Sequence, residues 1–275
     1  VRDIAAAAEI QVPSDTDMIY LLGYRQPGGR GGYRAVRVAS RPVAGPCFRT
    51  SDRFVPMGGS NIALGGWWRC VEPVLHPQMV GAVAYPGAIL RDAVDSAAAF
   101  QVTLEGVMQA GMGHIHVPAG MYAIGAPITL PVAKWGVTVN GDGFSVAGNA
   151  RYNNADASGA TTLVWTGKAG DTMITARGNL GVTLSGLTLV GQRDADAFRA
   201  GTLLTIGNSP ASGAGQMLLQ GISLSDAHIG IRYGESPGDP SGDNIAHVKV
   251  IVTNCDIAFK FETQQNVGLH FAQLN

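Results

Sequence analysis

Side chains able to share acid–base chemistry recur at a fixed interval in this chain. Leu224 to Tyr233 can be laid over Val252 to Phe261 at an offset of 28, apolar position on apolar position. That alignment sets Asp226 against Asn254, His228 against Asp256 and Arg232 against Lys260. Stacked as neighbouring strands, such matched residues would lie about 4.8 Å apart. Hydrolysis of a glycosidic bond needs two carboxylates, ~5–5.5 Å apart for retention and ~6.5–9.5 Å for inversion, so adjacent turns of chain can supply them. The loop from Gly234 to Asn244 adds Glu235, Asp239 and Asp243 beside this strip. Asp226, Asp243 and Glu235 are therefore the candidate catalytic acids. His228, Arg232, Asp239 and Asp256 are candidate sugar contacts. The same residue types have a plainer reading that stands ahead of both: Asp, Asn and Ser in turns serve the backbone through Asx hydrogen bonds.

Flat rings offer a second kind of contact, because sugars stack on them. Trp135, Trp165 and Tyr152 qualify if exposed, whereas Trp67 and Trp68 read as local packing in a small core. Asp239 to Asn244 lacks the regular ligand spacing of a calcium loop, and the three cysteines, Cys47, Cys70 and Cys255, show no zinc spacing. No metal and no cofactor is expected. The Gly cluster at 28–32 lacks the phosphate-loop Lys and a following helix. It reads as a hairpin turn, with Arg25, Arg30, Arg34 and Arg37 on a solvated face.

Strands must position these groups. Residues 1–75 form one block: an Ala-rich stretch, an apolar run at Met18 to Leu22, the Gly-rich turn, an alternating segment at Tyr33 to Val38, and Trp67 to Val71. This predicts a small all-β module. Residues 76–93 connect it to the remainder of the chain. Asp95 and Ser96 can cap a helix in which Phe100, Leu104, Val107 and Met108 form one apolar stripe, stopped by Gly111 and Gly113. It is the only helix the pattern predicts. Short strands come next at His114–Val117, Met121–Ile124, Pro127–Leu130 and Val137–Val139.

The repeat extends beyond the chemical strip. Leu184 to Leu189 lies over Leu219 to Leu224 at an offset of 35, and Leu269 and Phe271 fall 19 after Val250 and Val252. Strand–turn–strand units of roughly 20–35 residues build a solenoid, in which each coil covers the open face of its neighbour. Leu, Ile and Val should point inward, with Thr, Ser and Asn outward or in short ladders. A β-sandwich would also show many short strands, but the helix before the repeats favours a stack whose exposed end needs a cover. The chain from 94 to 275 is thus expected to hold the cap and first coils of a mainly β, right-handed parallel β-helix.

Composition narrows the partners. Nineteen basic and twenty acidic residues give a net charge of −1, with no basic footprint for nucleic acid and none for an anionic membrane. Charged residues are 14% of the chain, against ~25% in ordinary domains. No window resembles a membrane span and no signal peptide is visible. The chain starts at Val1 without Met and ends at Asn275 within a strand-like pattern. Further sequence on either side is the expectation.

The motifs also carry a family resemblance. Asp95-Ser96-Ala97-Ala98, Val117-Pro118-Ala119-Gly120-Met121-Tyr122, Ile128 to Pro131 and Gly141-Asp142-Gly143 stand in an order that resembles the opening of the pectate-lyase-like domain of phage tailspikes. Tyr85-Pro86-Gly87-Ala88 departs from that family's usual Gly-Asp-Gly start. Leu22-Gly23-Tyr24, Tyr33 and Trp67-Trp68-Arg69 resemble a module that often precedes the domain, and Gln78 to Ala82 resembles its short opening strand. The resemblance implies a homotrimeric spike on a phage or phage-like particle. Residues 1–75 would face other particle proteins and the solenoid would face a bacterial surface polysaccharide. It leaves three functions open: an adhesin, which is the reading adopted, a polysaccharide hydrolase or lyase of the same shape, and a secreted pectate-lyase-like enzyme.

Overall fold

The computed structural model describes residues 3–10, 12, 15–25, 31–51, 66–85, 93–109, 113–130, 136–145, 159–178, 181–192, 200–207, 215–235, 245–262 and 268–272. The Ala-rich start is a short helix, α1 (Ile4–Glu9), whose N-terminus is capped by the Asp3 carboxylate accepting from the Ala6 N–H. A single turn and a half is too short to show an amphipathic stripe, so the sequence pattern missed it. Strands β1 (Met18–Leu21), β2 (Tyr33–Val38), β3 (Cys47–Arg49) and β4 (Trp67–Cys70) form an antiparallel sheet in the order β1-β2-β4-β3. Trp68 is fully buried on its inner side, stacked on Phe48 and donating to Thr50 Oγ1. Arg37 departs from the solvated face expected of it. It is half-buried, with its guanidinium 4.7 Å from the Trp68 ring centroid.

Helix α2 (Ala97–Gln109) comes next, and then a stack of parallel strands. The first coil is β5 (His114–Val117), β6 (Gly120–Ile124) and β7 (Ile128–Leu130). The second is β8 (Thr138–Gly141), β9 (Thr161–Trp165) and β10 (Thr172–Arg177). Later coils merge the first two strands into one bent strand: β11 (Thr183–Val190) with β12 (Thr202–Gly207), β13 (Leu218–Ser225) with β14 (Ile229–Tyr233), and β15 (Ala246–Thr253) with β16 (Ile257–Phe261). β17 (His270–Ala272) is the last described strand. The bend has a backbone cause. Gly186, Gly221 and Lys249 are stacked one above another, all with positive φ, so each long strand turns a corner there.

The result is a three-sided parallel β-helix, not a sandwich. One face holds β5, β8, the first halves of β11, β13 and β15, and β17. A second holds β6, β9 and the second halves. The third holds β7, β10, β12, β14 and β16. The offsets of 35 and 28 are registers of the sheet: Leu184 pairs with Leu219, Leu224 with Val252 and Ile229 with Ile257. The offset of 19 is not. His247 pairs with Phe271, an offset of 24, because a buried histidine occupies the inward column where an apolar residue was sought.

Helix α2 and the segment before it close the front of the stack. Phe100 and Leu104 pack with Ile115, Val117, Ile128 and Leu130 over the first coil. The open strand edges are satisfied face by face. Leu75 bridges β5, Tyr85 and Ser96 bond to β6, and the Gln101 side chain accepts from the Thr129 N–H of β7. Asp95 caps the helix by accepting from Ala97 and also takes the Gly125 N–H. Gln78 to Ala82 resembled an opening strand, but Pro77–Val80 is a 3-10 turn; Pro77 at its first position supplies the fixed φ that such a turn uses.

Candidate functional site

The strip expected from the sequence forms at the turn between the second and third faces. Asp226 and Asn254 stack in left-handed conformations, φ 58° and 53°. Asp226 is buried, accepting from Asn254 Nδ2 and from the Ser225 hydroxyl. An acid so placed serves the turn, as Asx chemistry anticipates. His228 and Asp256 are exposed and bonded to each other at 2.8 Å. Arg232 and Lys260 stack on the third face and share Glu262, which they hold below the usual carboxylate range, Lys260 contributing most. Arg232 also donates to the Glu235 carbonyl at 2.8 Å. Trp165 is a correction: its ring is fully buried and its indole N–H donates to the Lys168 carbonyl, so it offers no face to a sugar. Trp135, Tyr152, Asp239 and Asp243 lie outside the described residues.

Burial separates the three outer surfaces. On the second face Met121, Thr162, Thr188 and Ser223 point outward yet are buried. Thr188 exchanges hydrogen bonds with Ser145, which crosses over it. The third face is mixed: the outward Met173, Leu203 and Thr205 are buried, but Thr129, Thr175, Arg232 and Lys260, in the same column as Thr205, are at least partly exposed. The outward Thr162, Thr188 and Ser223 stack in register as the expected short ladder, here beneath a crossing segment. The first face is open. Its outward column runs His116, Asn140, Ser185, Gln220, all at least partly exposed. Ser185 donates to Asn140 at 2.8 Å, and His116 Nε2 lies 3.0 Å from Asp142. Asp142 also accepts from the Ala119 N–H. The His76 ring meets His116 edge-on at 5.1 Å, and burial pushes the His76 imidazole below its ordinary value. Imidazole, amide, hydroxyl and carboxylate groups in a line can exchange hydrogen bonds with hydroxyls spaced along the stack.

No protein-family model matches this chain, and no curated protein does. Among the solved structures similar to it, two align with nearly all of the chain at a TM-score above 0.5. One is the tailspike protein gp49 of Acinetobacter baumannii bacteriophage Fri1, a capsular polysaccharide depolymerase: 15% identity, 95% of this chain and 48% of that one, TM-score 0.54. The other is WceF of Pantoea stewartii, a glycan biofilm modifying enzyme with a bacteriophage tailspike-like parallel β-helix fold: 15% identity, 94% and 42%, TM-score 0.58. The fold is the tailspike-like parallel β-helix. This chain spans less than half the length of either structure.

Two parts of the tailspike-like helix escaped sequence reasoning. Glu262, the shared partner of Arg232 and Lys260, stands just past the last residue of β16, outside the aligned stretch. The open face was hidden because openness depends on which segments cross which face. A signal existed in His114 and His116, polar residues two apart on a strand whose other positions, Ile115 and Val117, are apolar.

Proposed function

We propose that this chain belongs to a spike protein of a phage or phage-like particle and binds bacterial capsule or lipopolysaccharide. One observation carries the reading. An antiparallel module followed by a capped β-helix aligns, over nearly all of this chain, with two glycan-acting proteins, one of them a tailspike. The open first face supports it, being a polar strip along the stack that suits an extended, hydroxyl-rich polymer. In this reading residues 1–75 meet other particle proteins, residues 94–275 meet the glycan, and three copies assemble on the virion.

Both similar proteins modify glycans, which favours one alternative: the chain cleaves the polymer it binds, as hydrolase or lyase. An array of purified bacterial capsular and lipopolysaccharide glycans tests binding. Silence across the array counts against attachment. Incubation with the bound glycan, followed for new reducing ends or unsaturated-sugar absorbance, tests cleavage. Product that disappears in Asp243→Asn establishes the enzyme; binding without product leaves the adhesin. Light scattering should give about 86 kDa, three times the 28.5 kDa chain, and a monomer at micromolar concentration would remove the spike assembly.

A further inference from the structure

A cleft of about 570 Å3 lies between the N-terminal sheet and the first coil, lined by Tyr20, Leu22, Glu72, His76, Gln78 and Pro118 among others. Its size falls within the ~300–1,000 Å3 of small-molecule sites. Three features of the wall are unusual for a mere seam between packed elements. Tyr20 and Leu22 remain 55% and 47% exposed, so an aromatic ring and an aliphatic side chain are presented to the space. The Glu72 carboxylate is fixed by Arg34, which donates through its backbone N–H at 2.8 Å and its Nε and Nη2 at 3.0 and 3.1 Å. Its oxygens are acceptors held in place, and the ion pair keeps them ionised. Beside them stand the His76 ring and the buried Gln78, whose side-chain amide is itself anchored, donating from Nε2 to the Tyr122 hydroxyl at 3.0 Å.

We propose that this cleft binds one uncharged sugar residue. A pyranose has an apolar C–H face and a rim of hydroxyls. The Tyr20 ring and Leu22 match the face, and a fixed carboxylate with a neighbouring imidazole matches vicinal hydroxyls. An acidic sugar is disfavoured, because Glu72 would repel its carboxylate and the Arg34 guanidinium is already engaged with Glu72. The site is separate from the turn strip of Asp226, His228 and Asp256. The inference rests on the glycan-binding reading for its biological sense but not for its chemistry.

Saturation-transfer NMR on the whole chain tests it, with glucose, galactose, mannose and N-acetylglucosamine as probes and glucuronate as the charged control. Transfer is expected from at least one neutral sugar and not from glucuronate. Tyr20→Ala should abolish it, and Glu72→Gln should weaken binding about tenfold, the loss of one charge-assisted hydrogen bond. Lys168→Ala, at an exposed position between β9 and β10 and not in the cleft wall, should leave it unchanged. Since Glu72→Gln also disturbs the Arg34 pair, thermal unfolding of each variant is recorded, and Tyr20→Ala, on an exposed edge strand, decides the matter if Glu72→Gln unfolds. No transfer from any neutral sugar, equal transfer from glucuronate, or transfer surviving Tyr20→Ala overturns the proposal. Polysaccharide binding on an array without monosaccharide transfer sinks the cleft alone. Transfer without array binding sinks the attachment reading and leaves the cleft.

Discussion

His247 shows how one residue can mislead a register and shape stability. It is fully buried in the column of Ile115, Val139, Leu184 and Leu219, stacked on Phe271 at 4.4 Å. Its Nε2 bonds the Tyr233 hydroxyl and its Nδ1 faces the His270 carbonyl at 3.2 Å. His247→Phe should cost about 1–3 kcal/mol, because the Tyr233 hydroxyl is left buried and unsatisfied. His247→Phe with Tyr233→Phe should recover most of that loss in denaturant midpoint, since both partners then become apolar. Burial lowers the His247 imidazole below its ordinary value, so the unfolded chain binds the proton more tightly than the folded one. Stability from this source is present above pH ~6.5 and lost as pH falls through the folded value. The double variant should therefore show a flatter melting temperature between pH 7 and pH 5. Apolar periodicity fixed the registers wherever the inward column was Leu, Ile or Val. It failed at β17 because the period-2 pattern counts a histidine as outward.

At the scale of elements, the turn ladder and the lid make separable contributions. Asn254→Gly keeps a backbone free to hold φ 53° and loses only the bond to Asp226, a cost of about 1 kcal/mol. Asn254→Ala loses the bond and adds roughly another 1 kcal/mol for a left-handed non-glycine residue. A chemical-denaturation series in which Ala and Gly cost the same would refute the backbone part of this account. In the lid, Leu104→Ala should cost about 2–5 kcal/mol, as it opens a cavity over Ile115 and Ile128. Asp95→Ala should cost about 1–3 kcal/mol, because the Ala97 and Gly125 N–H groups lose their shared acceptor. Both were legible in part: the i, i+4 stripe and the Asp-Ser start are local signals. That Asp95 also holds Gly125, and that Gln101 caps β7, were not legible, because those bonds join residues 30 and 28 apart.

At the scale of the molecule, function is a matter of which face is left uncovered. Alternation of side chains along a strand says that half point outward, but not whether another segment lies over them. Thr188 and Ser185 are both small hydroxyl residues of β11, yet Thr188 is fully buried under Ser145 and Ser185 is partly exposed. Among the described residues, the path of 142–145, with Ser145 bonded over Thr188, separates them. In the proposed reading a glycan lying along the stack would meet the first face, where His116, Asn140, Ser185 and Gln220 succeed each other at the strand spacing of about 4.8 Å. Ser185→Trp plants a bulky ring in the middle of that path, on an outward position where the core is untouched. Binding to the array glycan should fall at least tenfold, about 1.4 kcal/mol or more, with the melting temperature unchanged. The matching control is His228→Ala at the turn between the second and third faces, which removes only an exposed ion pair worth about 0–1 kcal/mol and should leave affinity within about twofold. The reverse pattern, affinity lost in His228→Ala and kept in Ser185→Trp, would move the glycan from the first face to that turn.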